Sequence, residues 1–167
     1  MADLILHHYP TSPFAEKVRL ILGHKQLAWK SVFIPMIMPK PDLTALTGGY
    51  RKTPVLQIGA DIYCDTTLIC DVLEHLAPTP TLYPEAVKGA ARIVAQWADS
   101  ALFTAAMAYN FQPAGVAQVF AGAPAEGVQA FVADRAAMRA APLTASGYSV
   151  GVGARCSSTS QIKAVSQ

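Results

Sequence analysis

The order of strand and helix signals in the first half constrains the fold of this chain more than any other feature. An apolar run at Leu4–Leu6 is followed by a helical pattern that begins at Pro13, and then by a β-branched and aromatic run at Trp29–Ile34. Two further short runs, Val55–Ile58 and Ile62–Cys64, are separated by three residues typical of a tight turn, and a second helical pattern follows. This order predicts a βαβ unit followed by a hairpin and a helix, in the arrangement βαβ-ββα.

Each of the two predicted helices has one apolar face that can cover a sheet. In the first helix Phe14, Val18, Ile21 and Leu22 recur at helical spacing, and in the second the apolar positions are 68, 69, 72, 73 and 76. The residues from Met36 to Lys52 show no clear period, so we expect a loop there with room for one short helix.

A proline-rich segment divides the chain into halves of different composition. Residues 1–84 contain 6 alanines and 9 prolines, whereas residues 85–167 contain 23 alanines and 3 prolines. The prolines at 78, 80 and 84 favour extended backbone and therefore a linker. The predicted division is an α/β domain over residues 1–77, a linker over 78–84, an all-α and incomplete C-terminal domain over 85–141, and an irregular or disordered tail over 142–167.

The second half is predicted to be helical. Glu85 to Tyr109 has the pattern of one long helix, with Ile93, Trp97 and Leu102 on a common face that we interpret as core, and Val128 to Arg139 has the pattern of another. The 26 residues between Asp99 and Glu126 are uncharged, but polar residues, a proline and glycines interrupt them. We expect buried helices there and no membrane span.

Composition excludes several classes of function. Hydrophobic residues make up 52% of the chain, which is enough for a core, and the net charge of +2 comes from scattered basic residues that form no nucleic-acid-binding stripe. The amino-terminal sequence lacks the pattern of a secretory signal, so we expect a cytoplasmic location. Three cysteines without a CxxC pair predict neither disulfides nor a metal site.

Ser12 and Pro13 lie where the first strand passes into the first helix. Pro13 suits the first helical position, and the Ser12 hydroxyl would cap the helix at the positive end of its dipole. A hydroxyl and free amides at this position can also bind an anion, including a thiolate, and such hydrogen bonds lower the pKa of a thiol. Capping and thiolate binding are both open at this point.

Two further short motifs also lie where a predicted strand or helix begins. Thr53-Pro54 ends the run Arg51-Lys52 and leads into a predicted strand, where a proline does not interrupt the sheet. Asp65-Thr66 opens the second helix and is typical of an N-terminal cap. Each motif alone is a weak signal of function.

Taken together and in this order, the motifs resemble the glutathione transferase superfamily over about residues 4–84. The resemblance implies a thioredoxin-like N-terminal domain. The segment from Ser12 to Leu22 is similar to the one that carries the catalytic serine or cysteine of tau-like and omega-like classes. By this resemblance Ser12 is the catalytic residue that stabilises the glutathione thiolate.

The resemblance also implies the remaining contacts with glutathione. Lys52, Thr53 and Pro54 match the site of a cis-proline, which would let the Thr53 backbone pair with the cysteinyl part of glutathione. Asp65 and Thr66 lie where the family usually has Glu-Ser, which holds the γ-glutamyl end, although aspartate is shorter by one methylene. Glutathione would be the co-substrate, with no metal.

The second half departs from the family. No Ser/Thr-x-x-Asp capping box precedes Asp134, the last acidic residue, because Phe131 lies three positions before it. A truncation, a change of frame near residue 142 or a divergent ending would each account for this. The electrophile pocket is therefore the part of the site that the sequence defines least.

Two functions follow as hypotheses. The first is a detoxifying transferase that joins glutathione to a small apolar electrophile, acting as a homodimer without nucleic acid or membrane partners. The second is a non-catalytic module that binds glutathione or another protein and has lost the electrophile pocket.

Tyr9 is the second candidate for binding the thiolate. His7 and His8 should face opposite sides of the sheet and are assigned no role.

Overall fold

The computed structural model describes residues 2–140 and 155–156. Its residues form two compact units. Of the described residues, the first unit contains 2–80, 134–140 and 155–156, and the second is Thr81–Ala133. Residues 142–154 and 157–167 of the predicted tail lie outside the described residues. The division into domains that the sequence suggests stays a prediction.

The first unit is built on a mixed sheet. Its strands are β1 (Leu4–His8), β2 (Lys30–Phe33), β3 (Val55–Ile58), β4 (Asp61–Cys64) and the two-residue β5 (Arg155–Cys156). They lie in the order β2-β1-β3-β4-β5. The pair β1–β2 is parallel, as a helical crossover between them requires, and the other pairs are antiparallel. The βαβ-ββα arrangement predicted from the sequence is confirmed over β1 to β4 and their helices.

Three helices accompany this sheet: α1 (Pro13–His24), α2 (Pro41–Thr47) and α3 (Thr66–Leu76). The helices α1 and α3 turn their apolar faces to the main core, where Val18 and Leu22 of the first and Ile69 and Leu73 of the second are fully buried around Leu6. The predicted faces are therefore confirmed. Burial of one such side chain stabilises the fold by roughly 1.5–3 kcal/mol.

The short helix α2 lies in the segment where one short helix was expected. It buries Leu43 against Val55 and Ile62 in a second cluster, and it ends at Gly48, whose φ of 66° lies in the left-handed region that favours glycine. This helix shapes the loop that leads to the Thr53-Pro54 motif.

The second unit is helical, as predicted. A 3₁₀ turn at Glu85–Val87, α4 (Lys88–Trp97), a π-helical turn at Ala98–Leu102 and α5 (Phe103–Asn110) follow one another, then α6 (Pro113–Val119) and α7 (Ala125–Ala140), which continues into the first unit. The helices predicted over 85–109 and 128–139 are both present.

The expected burial of the second unit is wrong. None of the residues of α4, α5 and α6 is buried, and the stripe interpreted as core is open, with Ile93 69% and Trp97 53% exposed. Within this unit Phe131 packs on Phe111 and Phe120 in a small aromatic group. A few short helices enclose too little volume to cover both faces of α4.

Among the described residues, no helix combines the length and the apolarity that a bilayer crossing requires.

Candidate functional site

Three loops leave the sheet of the first unit at the same end. The strand β1 ends at His8, and its neighbour His7 pairs with Val55, the first residue of the antiparallel β3. Val55 also pairs with Cys64, the last residue of β4. The segments that carry Ser12, Thr53-Pro54 and Asp65-Thr66 therefore begin or end side by side, although they are far apart in the sequence.

Ser12 caps α1. The residue is 3% exposed, its Oγ accepts a hydrogen bond from the Ala15 amide at 3.2 Å, and Pro13 is the first helical residue. The Ser12 amide donates to the Tyr9 carbonyl at 3.2 Å, which closes the turn between β1 and α1. Because a hydroxyl can accept and donate at once, this cap leaves the O–H able to donate to a ligand.

The Thr53–Pro54 bond is cis, as the resemblance implies. Pro54 is fully buried and directly precedes β3, while Lys52 and Thr53 are half-buried. The Thr53 hydroxyl accepts a hydrogen bond from the Lys40 ammonium at 3.2 Å.

Asp65 caps α3, which is the ordinary role expected of it. Its Oδ1 accepts from the Thr67 amide at 2.8 Å, and its φ of 79° is unusual for a residue other than glycine. Asp65 is exposed, whereas Thr66 is buried and accepts a hydrogen bond from the Lys17 ammonium at 3.3 Å. An exposed carboxylate thus lies at this end of the sheet, beside a hydroxyl tied to α1.

Lys40 is a residue that sequence reasoning missed. It is 3% exposed, and its Nζ also donates to the Arg51 carbonyl at 3.2 Å and lies 5.7 Å from the centre of the Tyr9 ring. Burial, followed by the charges of Arg135 and Arg51, lowers the pKa of Lys40 to about 8, and Asp134 works in the opposite direction. No sequence pattern marks this position, since Lys40 lies between two prolines in a stretch without a period.

Two residues of α7 that belong to the first unit face the same loop. Asp134 accepts hydrogen bonds from Arg51, at 2.5 Å, and from the Met38 amide, at 3.2 Å. Burial alone would raise the pKa of Asp134, but these bonds and the charges of Arg51 and Arg135 bring it below its ordinary value. Asp134 therefore acts as a fixed anion that holds the loop, a role unrelated to the capping box sought for it.

The neighbouring Arg135 donates to the Met36 carbonyl at 2.8 Å and to the Tyr9 hydroxyl at 3.3 Å. Tyr9 is half-buried and keeps an O–H that can donate. Tyr9 therefore stays an alternative to Ser12.

This arrangement suits an elongated ligand with charges of both signs. The N-termini of α1 and α3 favour negative groups, Lys40 adds a buried cation, and Asp65 adds an exposed anion. In the part of the chain that the structure describes, no group of three or more His, Cys, Asp or Glu side chains could hold a metal ion. The roles predicted for the individual site residues stay predictions.

Several known proteins are similar to this chain in sequence or in structure. The family described as glutathione S-transferase, N-terminal domain, matches residues 6–81. Pyrimidodiazepine synthase of Drosophila melanogaster is 33% identical over 76 residues, which cover 43% of this chain and 31% of that protein.

Two solved structures extend the likeness. A GST-like protein from Pseudomonas syringae is 58% identical, with a TM-score of 0.65, over 77% of this chain and 44% of that one. Rice GST1, in complex with glutathione, is 26% identical, with a TM-score of 0.50, over 59% of this chain and 46% of that one. The chain thus spans less than half the length of each of these proteins. Residues 6–81 of this chain belong to the glutathione S-transferase superfamily, as its N-terminal domain.

Proposed function

We propose that this protein is a glutathione transferase in which the Ser12 hydroxyl stabilises the glutathione thiolate for attack on a small apolar electrophile. The observation that carries the proposal is the common end of the sheet from which the Ser12, Thr53-Pro54 and Asp65-Thr66 segments depart. A ligand about three residues long can contact all of these segments at once.

The proposed chemistry starts at the amino terminus of α1. Glutathione binds with its sulfur facing the Ser12 hydroxyl, which donates a hydrogen bond to the thiolate, and the thiol proton passes to solvent. The helix dipole and this bond favour the charged form and lower the pKa of the thiol. The thiolate then attacks an electrophilic carbon, so that a C–S bond forms as the bond to the leaving group breaks and the leaving group keeps its electron pair.

The remaining contacts hold the peptide part of glutathione. The Thr53 backbone, with Lys52 and Pro54, would pair with the cysteinyl part, and Asp65 with Thr66 would hold the γ-glutamyl end through its ammonium group. Lys40 would bind a carboxylate of glutathione, because a buried cation with a lowered pKa gains most from an added negative charge. The glutathione complex of rice GST1 supports glutathione as the ligand.

A calorimetric titration with glutathione, followed by turnover with an aryl halide, tests the proposal. Binding and conjugation together support a transferase. Absence of binding overturns the proposal, since every assigned contact depends on the tripeptide.

The second candidate is a non-catalytic module that binds glutathione or another protein. The exposure of Ile93 and Trp97 on α4 favours it, because an open apolar face in the second unit leaves an electrophile pocket undefined. Glutathione binding without turnover of any aryl halide would select this module.

Assembly and location complete the proposal. We expect a homodimer in which the N-terminal domain of one copy covers α4 of the other, since the exposed face of α4 needs a cover and two-fold dimers are the commonest assemblies. A cytoplasmic location, where cysteines stay reduced, is part of the same proposal.

A further inference from the structure

A buried histidine outside the proposed glutathione contacts lies at the end of β1, shortly before the turn that carries Ser12. His8, the last residue of β1, is 3% exposed. Its ring meets the rings of Trp29 and Phe33 edge-on, with centroids 5.6 Å and 5.3 Å away. Its neighbour His7 faces the other way and contacts Gln57 at 2.9 Å.

The partners of His8 define its protonation state. Arg19 NH1 lies 2.9 Å from His8 Nδ1, and a guanidinium can only donate, so Nδ1 must accept and carries no proton. The ring proton is then on Nε2 and donates to the Ser31 hydroxyl at 2.7 Å. His8 is therefore neutral in this arrangement.

Arg19 connects His8 with the turn that precedes α1. Its Nε donates to the Glu16 carboxylate at 2.9 Å, and its NH2 donates to the Pro10 carbonyl at 2.8 Å. Pro10 lies in the middle of the turn that the bond between the Ser12 amide and the Tyr9 carbonyl closes. Arg19 thus reaches back from α1 and fixes the backbone two residues before Ser12.

We propose that His8 and Arg19 are a pH-sensitive pair of positioning residues for the Ser12 turn. A proton added from solvent to Nδ1 of His8 replaces the acceptor of Arg19 with an N–H donor. The hydrogen bond between the two side chains breaks, the guanidinium moves away from the imidazolium, and the Pro10 carbonyl loses its partner. The turn that carries Ser12 becomes looser in acid.

The groups around His8 determine the pH range. From α1 it faces Arg19 and, beyond it, Glu16, whereas Ser31 and the two aromatic rings on the β2 side carry no charge. Burial first, and then the charge of Arg19, lower the pKa of His8 from 6.5, while the Tyr9 backbone raises it in part. The pair is therefore intact at neutral pH and is lost only as the pH falls below 6.5.

Nuclear magnetic resonance of the full chain between pH 8 and pH 4.5 tests the pair without any ligand. We expect the Nε2–H tautomer at neutral pH, and amide signals of Thr11 and Ala15 that shift with the same midpoint as the His8 ring. In His8→Asn the amide oxygen still accepts from Arg19 but cannot titrate, so this shared transition should vanish. A proton on Nδ1 at neutral pH would overturn the proposal.

The matched control is His7→Asn, the neighbouring histidine on the opposite face, which should keep the transition. If the turn amides titrate equally in both variants, the pair does not control the turn. Arg19→Met serves as a second variant should His8→Asn not fold. Its side chain can donate neither to His8 nor to Pro10, so the turn amides should already show their acid positions at neutral pH.

The consequence for Ser12 rests on the proposed function and needs a separate measurement. Between pH 7.5 and pH 5 we expect the dissociation constant for glutathione to rise about tenfold more in the wild type than in His8→Asn, the size of one hydrogen bond to a charged group. An equal rise in both proteins overturns the positioning role. Absence of glutathione binding at every pH overturns the proposed function, while the amide signals still decide on the pair.

Discussion

Two roles are assigned to the Ser12 hydroxyl, the cap of α1 and the proposed donor to the thiolate, and its geometry allows both. As a cap it accepts the Ala15 amide at 3.2 Å, which uses a lone pair, whereas thiolate binding uses the O–H proton. The capping interpretation and the catalytic one are therefore compatible, and only substitution separates them.

Ser12→Ala should reduce conjugation much more than glutathione binding. The change removes one hydrogen bond to the thiolate, and loss of one such preorganised donor costs about 10²–10³ in turnover. It also removes the cap of α1, which should lower the free energy of unfolding by about 1 kcal/mol. Steady-state kinetics and calorimetric titration measure the two effects.

Ser12→Thr is the matched control, because it keeps a hydroxyl that can cap and donate. It should retain most of the activity. Full activity in Ser12→Ala would instead transfer the role to Tyr9 or to backbone amides.

Lys40 should make the affinity for glutathione depend on pH in the alkaline range. Its pKa is lowered to about 8 by burial first and then by neighbouring cations, so the ammonium form is complete only below that pH. A bound carboxylate prefers the ammonium form, and affinity should therefore fall as the pH rises above 8. Titration calorimetry from pH 6.5 to pH 9.5 measures this loss.

Lys40→Arg separates this effect from the titration of glutathione itself, because arginine stays charged over the whole range. The variant should lose the part of the pH dependence that Lys40 causes. Lys40→Met should bind about tenfold more weakly or worse at pH 7, as expected when a hydrogen bond to a charged group is lost. Identical pH dependence in the wild type and Lys40→Arg would remove Lys40 from the site.

At the scale of helices and strands, the sequence predicts those features that depend on the spacing of nearby residues, such as buried helix faces and helix caps. The recurrence of Val18 and Leu22 gives α1 its buried face, and Ile69 with Leu73 does the same for α3. Ser12 and Asp65 were predicted as caps on local grounds, and both accept amide bonds as caps do.

What depends on distant partners could not be predicted. The ammonium group of Lys40 is buried where it can donate to the Arg51 carbonyl and the Thr53 hydroxyl. Asp134 holds the loop through its bond with Arg51, which lies 83 positions away in the sequence. The burial of α4 was predicted wrongly for a related reason. An apolar stripe such as that of Trp97 indicates which face needs a cover, but not whether this chain supplies it.

A half-buried ion pair joins the ends of two helices in the first unit. Lys25 directly follows α1, and its side chain is fully buried. The Nζ of Lys25 contacts Glu74 of α3 at 2.6 Å. It also donates to the carbonyls of Ala77 at 2.6 Å and Pro80 at 2.9 Å. One ammonium group therefore pairs with Glu74 near the end of α3 and also bonds two backbone carbonyls of the segment that follows this helix.

Lys25→Ala should lower the free energy of unfolding by about 3–5 kcal/mol, because it leaves Glu74 and two carbonyls without their buried partner. Chemical denaturation measures the loss. Lys30→Ala is the control, since Lys30 pairs with Asp3 at 2.6 Å but both side chains are more than half exposed. The control should cost at most about 1 kcal/mol, and equal losses in the two variants would contradict the role given to Lys25.

At the scale of the whole molecule, the two units differ in how much of their apolar surface is exposed, and this difference bears on the oligomeric state. The first unit has a core of fully buried side chains, whereas α4 and the π-helical turn that follows it in the second unit leave Ile93 69%, Trp97 53% and Leu102 44% exposed. Three large apolar side chains at helical spacing form a patch that isolated soluble proteins rarely leave uncovered. A second copy of the chain is the cover that we propose.

The full chain should therefore be a dimer that a charge on α4 disrupts. Burial of one large apolar side chain contributes roughly 1.5–3 kcal/mol, so Trp97→Asp should raise the dissociation constant of the dimer at least about tenfold. Light scattering coupled to size-exclusion chromatography over a range of concentrations measures this. Val119→Asp, at a 64% exposed apolar position on α6 outside the patch, should leave the dimer intact. A wild-type chain that stays monomeric and soluble at high concentration would contradict the dimer and the interpretation of the α4 face as an interface.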